Sequence, residues 1–536
     1  MASKLRTELD TTFMIAVGIW HHLLFYGSVI IMYHNLHFRR QFLLSRVQIA
    51  VLDDWNLFQI GRYFLYAHPD LEVNQFAGQS KSLVLIGSIF NPTEPEKGNA
   101  DILKAIFKNS HGIKGLFSWL KQYAGIFALV YMDDKETIIL HDALALREIY
   151  YCTMENEIIC GSQPNLLVKF ARPEIKPRSE PDFIEYFTKN SIKTRWNPYR
   201  RWIGDETYYE GIKHLLPNHY LDINKHEARR YWPNEPIKQL GLEEAVSISC
   251  SFLQGIIRAV ANRHSMMMAV TAGTDSRTLL AATNGIQDKI YYFINNQGLG
   301  PRHPDIRVPR NIFDSIGVPF HVHDVPDDVD DEFRQIFLAN TFFASERILP
   351  TIYNVYFKSH SEKVNIVGLG EIGRTRFGKE PKKLKSYRIA YKMRQNESHY
   401  AVRQGEKILT ELLPVGREYG LNVLTLLYWE HWIGNWGATG NSESDIAIEE
   451  INPFDSHMLY EVFLGVDNKY TNYYNPVIFK EMIRKMWPEL LNWPINPPYK
   501  SRKKFIKFLK EIEIYTLLKE IRYKMSSFKY RYIERP

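Results

Sequence analysis

The run Met266–Arg277, MMMAVTAGTDSR, limits what this chain can fold into more than any other stretch. An apolar strand empties into a small-residue loop, Thr271-Ala272-Gly273-Thr274-Asp275-Ser276, and a helix begins at Arg277. Such a junction is suited to a phosphate chain, because backbone N–H groups and a helix N-terminus both favour negative charge. Ala272 and Gly273 let an anion approach the backbone, Thr271 and Ser276 carry hydroxyl donors, and Asp275 is placed to hold Mg²⁺. The common GxxxxGK[ST] loop is a different pattern, since its spacing and lysine are missing here. Small residues after a strand are also ordinary turn chemistry, and Asp or Ser before a helix is an ordinary N-cap. The rest of the chain has to choose between these readings.

The periodicity on either side differs. From about Val47 to Leu221 short strands dominate, at Leu83–Phe90, Gly125–Tyr131, Thr137–Leu140, Ile149–Cys152 and Glu157–Cys160, with helices at Ala100–Lys108 and Gly115–Gln122. That pattern predicts an α+β, largely antiparallel layer. Asn224–Lys238, with Pro233, Pro236 and several charges, reads as a linker. Beyond it a long helix, Glu243–Ala261, precedes strands at Met266–Thr271, Lys289–Asn295, Phe320–Val325 and Val364–Leu369. Helices intervene at Arg277–Ala282, Ile306–Ile316 and Asp331–Ala344, with Asn284-Gly285 and Gly317 as stops. Alternation of this kind predicts a parallel sheet, whose ligands sit beyond the carboxyl ends of the strands. The loop at Thr271 and the segment Gly368–Arg374 (GLGEIGR) both occupy such ends. Past Arg388 the pattern is mostly helical.

Bulk properties exclude several classes. At 536 residues the chain has room for two ordinary domains, and 45% hydrophobic with 24% charged residues is a globular composition. Cys152, Cys160 and Cys250 make neither a metal pattern nor a disulfide framework, which suits a reducing, cytoplasmic setting. Phe13–Tyr33 has the length of a membrane span, but His21, His22, Gly27 and its β-branched content fit two buried strands better. The net charge of +7 is concentrated: Lys500–Pro536 carries a surplus of eight positive charges, leaving the remainder near neutral. A nucleic-acid footprint is therefore not expected. In that tail Phe505, Leu509, Ile512 and Thr516 recur at helical spacing, so it is either a solvated helix packed by its apolar stripe or a peripheral membrane contact. His321 and His323 share a strand face without a third ligand and read as structural.

AVTAGTDSRTLL (Ala269–Leu280) resembles the pyrophosphate-binding SGGxDS loop of the asparagine synthetase family, with Ala272 replacing a glycine. His303-Pro304-Asp305 through Gly317 and Ile451–Leu464, with Pro453, Phe454 and Asp455, are similar to later segments of that family. QYAGIFAL (Gln122–Leu129), HDALALREIYY (His141–Tyr151) and Gly161-Ser162 resemble its glutaminase half. The resemblance implies an α+β N-terminal Ntn-hydrolase-like antiparallel sandwich over residues 1–225. An α/β parallel-sheet PP-loop domain with a helical C-terminus follows over 238–500, and the basic tail occupies 501–536. Its cofactors are ATP and Mg²⁺. The implied reaction is adenylation of a carboxylate, with release of pyrophosphate, followed by acyl transfer to ammonia or an amine. Implied site residues are Thr271 through Ser276 on the phosphates, Arg277 on a phosphate or substrate carboxylate (or else on the helix surface), and Asp275 on the metal. Glu371 stands near it, and Lys500 is the candidate for transition-state charge.

Two departures qualify the resemblance. The family's glutaminase uses a cysteine directly after the initiator Met, whereas this chain begins Met1-Ala2-Ser3, and Cys152 and Cys160 have no activating base beside them. Glutamine hydrolysis is expected to be lost, so nitrogen must come from free ammonia, a separate glutaminase or an amine in the substrate. The acid is then a small-molecule or sugar-acid carboxylate. The family's Gly-Glu-Gly-x-Asp-Glu aligns on Gly370-Glu371 with Arg374 at the metal aspartate, which leaves either Glu371 as the carboxylate or Arg374 as a direct phosphate contact. A non-catalytic scaffold is the alternative.

Overall fold

The computed structural model describes residues 33, 35–49, 54–154, 157–191, 201–296, 298–374, 376–395 and 398–498. Lys500, the tail 501–536 and all but the last residue of Phe13–Tyr33 lie outside the described residues.

The first half is built from twelve short strands: β1 Phe42–Ser45, β2 Asn56–Ile60, β3 Tyr63–Ala67, β4 Val73–Ala77, β5 Lys81–Phe90, β6 Ala124–Asp133, β7 Thr137–His141, β8 Tyr150–Met154, β9 Glu157–Gly161, β10 Lys213–His214, β11 His219–Asp222 and β12 Glu227–Arg230. They form two antiparallel sheets, ordered β10-β8-β9-β1-β3-β2 and β12-β11-β7-β6-β5-β4. The long apolar pair β5–β6, in register from Lys81↔Asp133 to Phe90↔Ala124, anchors the second sheet. Alternating side chains supply two layers. Val84, Ile86, Ala128 and Val130 face the other sheet, through Leu44 and Leu65. Leu83, Leu85 and Leu129 face the helices Asn99–Asn109 and Gly112–Leu120. The expected antiparallel layer is therefore present, but it starts earlier than Val47, at Phe42. Four residues of FLLS, beside Arg39 and Arg40, are too short a run to announce a strand.

The second half has the expected parallel sheet, with β13 Met266–Ala269, β14 Ile290–Asn295, β15 Phe320–His323, β16 Val364–Ile366 and a fifth strand, β17 Glu449–Ile451, in the order β15-β14-β13-β16-β17. β17 lies where only helices were expected. Its sequence, EEI, has poor strand propensity. It pairs with β16 because its acids find partners: Glu450 accepts from Asn365 at 2.9 Å and Glu449 lies 3.5 Å from Arg147. The helix expected over Asp331–Ala344 ends at Asn340, and two wide π-helical segments, Ile352–Phe357 and Tyr428–Gly437, follow.

Asn224–Lys238 is not a free linker. It contains β12, and its Trp232 is buried against Trp429, with ring centroids 4.6 Å apart. Arg230 is clamped between Glu430 and Glu411 at 2.5 and 2.6 Å. The two sheet systems accordingly share one apolar core, in which Phe90 and Ile126 meet Val246 and Leu253 of the helix Leu242–Arg263. Gly255 permits that contact, since a Cβ there would lie 2.0 Å from the Pro92 carbonyl oxygen. Among the described residues this helix alone is long and apolar enough to cross a membrane, and most of it is buried in the core. Arg147 and Asp445, 2.7 Å apart and both buried, add a charged tie between the halves. Asp455 accepts from the Leu144 N–H at 2.9 Å, and burial and the neighbouring Asp142 push its carboxyl well above the usual carboxylate range. The Pro-Phe-Asp segment thus secures the junction.

Candidate functional site

β13 is the centre of the parallel sheet, so its carboxyl end opens between the ends of β14 and β16. Val270 closes the strand by donating to the Phe293 carbonyl at 2.9 Å. The chain then turns through Thr271–Gly273 into the helix Thr274–Ala282, whose N-cap is Gly273 and whose first turn has no side-chain cap. An uncapped first turn directs free N–H groups at the crevice. The loop before it is drawn tight by its own hydroxyls. Thr271 Oγ1 and Ser276 Oγ lie 3.0 Å apart, and the N–H groups of Thr271 and Gly273 donate to Ser276 Oγ and Thr271 Oγ1 at 3.2 and 3.1 Å. The Ala272 N–H donates to Asp305 at 3.1 Å, so the His303-Pro304-Asp305 segment does reach the loop.

Asp275 is the residue the fold treats most unusually. Its Oδ2 pairs with the Arg374 guanidinium, while its buried Oδ1 has no partner among the described residues. Burial pushes its carboxyl up to about 6, although Arg374 pulls the other way. Gly370 is the enabling neighbour, because a Cβ there would lie 3.1 Å from that Oδ1. Glu371 is likewise engaged: Arg376 donates to it at 2.8 Å, the Tyr428 hydroxyl donates to its other oxygen, and Tyr473 donates at 3.4 Å. Arg374 and Arg376 both lie over the Tyr473 ring, 5.2 and 4.5 Å from its centroid. The result is a closed set of two carboxylates, two guanidiniums and two phenols.

In the nucleotide-free protein Asp275, the expected Mg²⁺ ligand, is paired with Arg374 and is not an open metal site by itself. Such an ion wants oxygen ligands in octahedral array. Here both carboxylates are already neutralised by arginine, and a divalent cation would sit against two positive charges. Among the described residues no group of three or more His, Cys, Asp or Glu can hold a metal.

Arg277 is not on the helix surface: its side chain is fully buried, donating to the carbonyls of Leu490, Trp493 and Pro494 at 2.8, 3.2 and 3.4 Å. It thereby straps the segment after Pro488 beside the loop. Asn496, which sequence reasoning missed, completes the strap, donating from its N–H to the Ala272 carbonyl at 2.8 Å and from its side chain to Thr274 Oγ1 at 3.1 Å. Tyr428, Tyr473 and Arg376 were missed too. All four lie far along the chain from the loop, in segments without a motif.

His321 stacks on Tyr291, and His323 accepts or donates to the same tyrosine's hydroxyl at 2.8 Å, which agrees with a structural role. Cys152 and Cys160 are buried, and burial raises both thiols, Cys152 to about 11.

No family model matches the chain, and no curated protein matches it. Solved structures similar to it include glutamine phosphoribosylpyrophosphate amidotransferase from B. subtilis complexed with ADP and GMP, at 11% identity over 54% of this chain and 61% of that one, with a TM-score of 0.23. Another is the allosteric regulatory enzyme of purine biosynthesis, at 12% identity over 68% of this chain and 76% of that one, TM-score 0.23. Superpositions this loose bear on neither the fold nor the site.

Proposed function

We propose that this protein is an ATP-dependent, AMP-forming carbon–nitrogen ligase of the asparagine synthetase type that has no glutaminase of its own. On this reading it adenylates a carboxylate and passes the acyl group to ammonia or an amine. The observation that carries the proposal is the convergence, at the carboxyl edge of one parallel sheet, of a small-residue loop, an uncapped helix N-terminus and two guanidiniums. The N–H groups of Thr274, Asp275 and Ser276 would receive the β- and γ-phosphates of ATP. Arg374 would exchange Asp275 for phosphate and balance the charge that builds on the departing pyrophosphate, a task for which a rigid guanidinium fork is well shaped. Buried, high-pKa thiols support the absence of glutamine hydrolysis, since the thiolate is the nucleophile. Three free, buried cysteines suit a cytoplasmic setting.

A non-catalytic role is the second reading, and one observation favours it: the N–H groups of Thr271, Ala272 and Gly273 are satisfied within the protein, and Asp275 Oδ2 is taken by Arg374. Exchange of labelled pyrophosphate into ATP separates the two. With a panel of amino acids and sugar acids, the ligase reading predicts acid-dependent exchange that Asp275→Ala abolishes. Exchange with no acid in the panel, or undiminished exchange in the variant, overturns it.

A further inference from the structure

The carboxyl edge of the parallel sheet also borders a cavity of about 460 Å³. Its walls come from both halves of the chain: Leu146 from the first, and Val367, Leu369, Trp436 and Tyr356 from the second. Both π-helical segments contribute to it, through Tyr356 and Trp436, and such irregular turns often mark ligand sites. Leu369 leads directly into Gly370, which abuts Asp275. The cavity and the phosphate loop therefore lie on two sides of one strand end.

The polar part of the wall is unbalanced. Asn441 is 3% exposed, and among the described residues neither its amide oxygen nor its amide nitrogen has a partner. A buried amide without partners carries the full desolvation penalty of its polar atoms, so a ligand group that engages it is favoured. Beside it Glu443, 5% exposed, accepts from the Ser345 N–H. Glu450 is hydrogen-bonded to Asn365, and no ion pair to it exists among the described residues. Desolvation without a neighbouring cation pushes the Glu450 carboxyl up to about 7. Arg347, the positive side chain lining the cavity, is exposed at its mouth.

We propose that this cavity binds a small primary amine, with its ammonium against Glu450 and Glu443 and a hydrogen-bonding substituent on Asn441, and that this amine is the acyl acceptor. The assignment of its fate rests on the ligase reading; the binding does not. Size argues against ammonia as the occupant, because a water-sized molecule takes up about 30 Å³, while pockets of roughly 300–1,000 Å³ hold small organic ligands. In the reaction the ammonium gives one proton to Glu450, and the freed lone pair forms a C–N bond to the acyl carbon. The C–O bond to AMP breaks with its electron pair on the phosphate oxygen, and the nitrogen's second proton leaves to solvent.

The test is calorimetric titration of the full-length protein with ethanolamine, putrescine and glucosamine, each beside its N-acetyl form. At least one free amine is expected to bind and its acetylated form to fail. Glu450→Gln should weaken binding by about tenfold or more. Asn441→Leu fills the cavity and removes two unpaired polar atoms, so it should melt no lower than the parent while losing the amine. Equal behaviour of free and acetylated forms, or full binding by either variant, overturns the proposal. Pyrophosphate exchange without amine binding refutes the cavity assignment alone. Amine binding without exchange refutes the ligase reading and leaves the cavity standing.

Discussion

Replacing Arg374 by methionine removes the one cation among the described residues that touches the Asp275 carboxylate. The side chains are 6% and 17% exposed, so solvent screens the pair little. Even with Arg374 in place, Asp275 titrates near 6 rather than at its ordinary 3.8. Two pKa units correspond to about 3 kcal/mol, and breaking a buried pair costs roughly 3–5 kcal/mol. Protonation of Asp275 in the variant limits the pH-dependent loss to about 1.4 kcal/mol for each pH unit above 6, so it reaches about 1.4 kcal/mol at pH 7 and about 3 kcal/mol at pH 8. The folded pKa lies above the unfolded one, so the folded state holds the proton more tightly. Stability contributed by this group is greatest below about pH 4, falls as pH rises through 6, and is then flat. In the variant the folded pKa moves higher, and the fall continues past pH 7. Urea denaturation of parent and variant at pH 5 and pH 8 reads this as a difference, in which other titrating groups cancel. The gap should be large at pH 8 and below about 1 kcal/mol at pH 5, where Asp275 is protonated in both proteins. Adding Asp275→Asn to the variant should recover about 2 kcal/mol at pH 8. A gap independent of pH, or a double variant whose losses simply add, would refute the reasoning.

Other outcomes follow from single contacts. Arg277→Ala leaves three carbonyls without a donor and should cost about 3 kcal/mol. Over 536 residues that is a melting decrease of about 3 °C, with protease cleavage near Leu490 appearing before global unfolding. Glu148, buried among Ser442, Tyr150 and Gln163, is pushed up to about 7, so the protein should lose stability between pH 5 and 8, and Glu148→Gln should flatten that dependence in thermal melts. All three cysteines are buried with raised pKa values and should resist a thiol-reactive disulfide reagent at pH 8 until the chain is unfolded. Addition of Mg²⁺ to the nucleotide-free protein should leave its melting temperature unchanged, because Asp275 is paired with Arg374, and a clear rise would show a metal site that needs no nucleotide.

What could be read from residues alone was governed by locality. Runs such as LVLIGSIF and GIFALVY carry their own strand signal, and MMMA followed by small residues carries the strand–loop–helix junction. β17 was hidden because two glutamates disguise a strand whose acids are satisfied by Asn365 and Arg147, hundreds of positions away or on a neighbouring strand. The odd placement of Arg374 was visible in the sequence, but its pairing with Asp275 was not, since 99 residues separate them. Arg277 stayed open between an anion contact and the helix surface because nothing near it in sequence reveals the carbonyls of Leu490, Trp493 and Pro494. Asn496 belongs to the same class.

The most direct measurement is a crystal structure with a non-hydrolysable ATP analogue bound. The account predicts β- and γ-phosphates on the N–H groups of Thr274, Asp275 and Ser276, with the Arg374 guanidinium turned from Asp275 onto phosphate. An intact Asp275–Arg374 pair beside an empty loop, or nucleotide bound elsewhere, would contradict it.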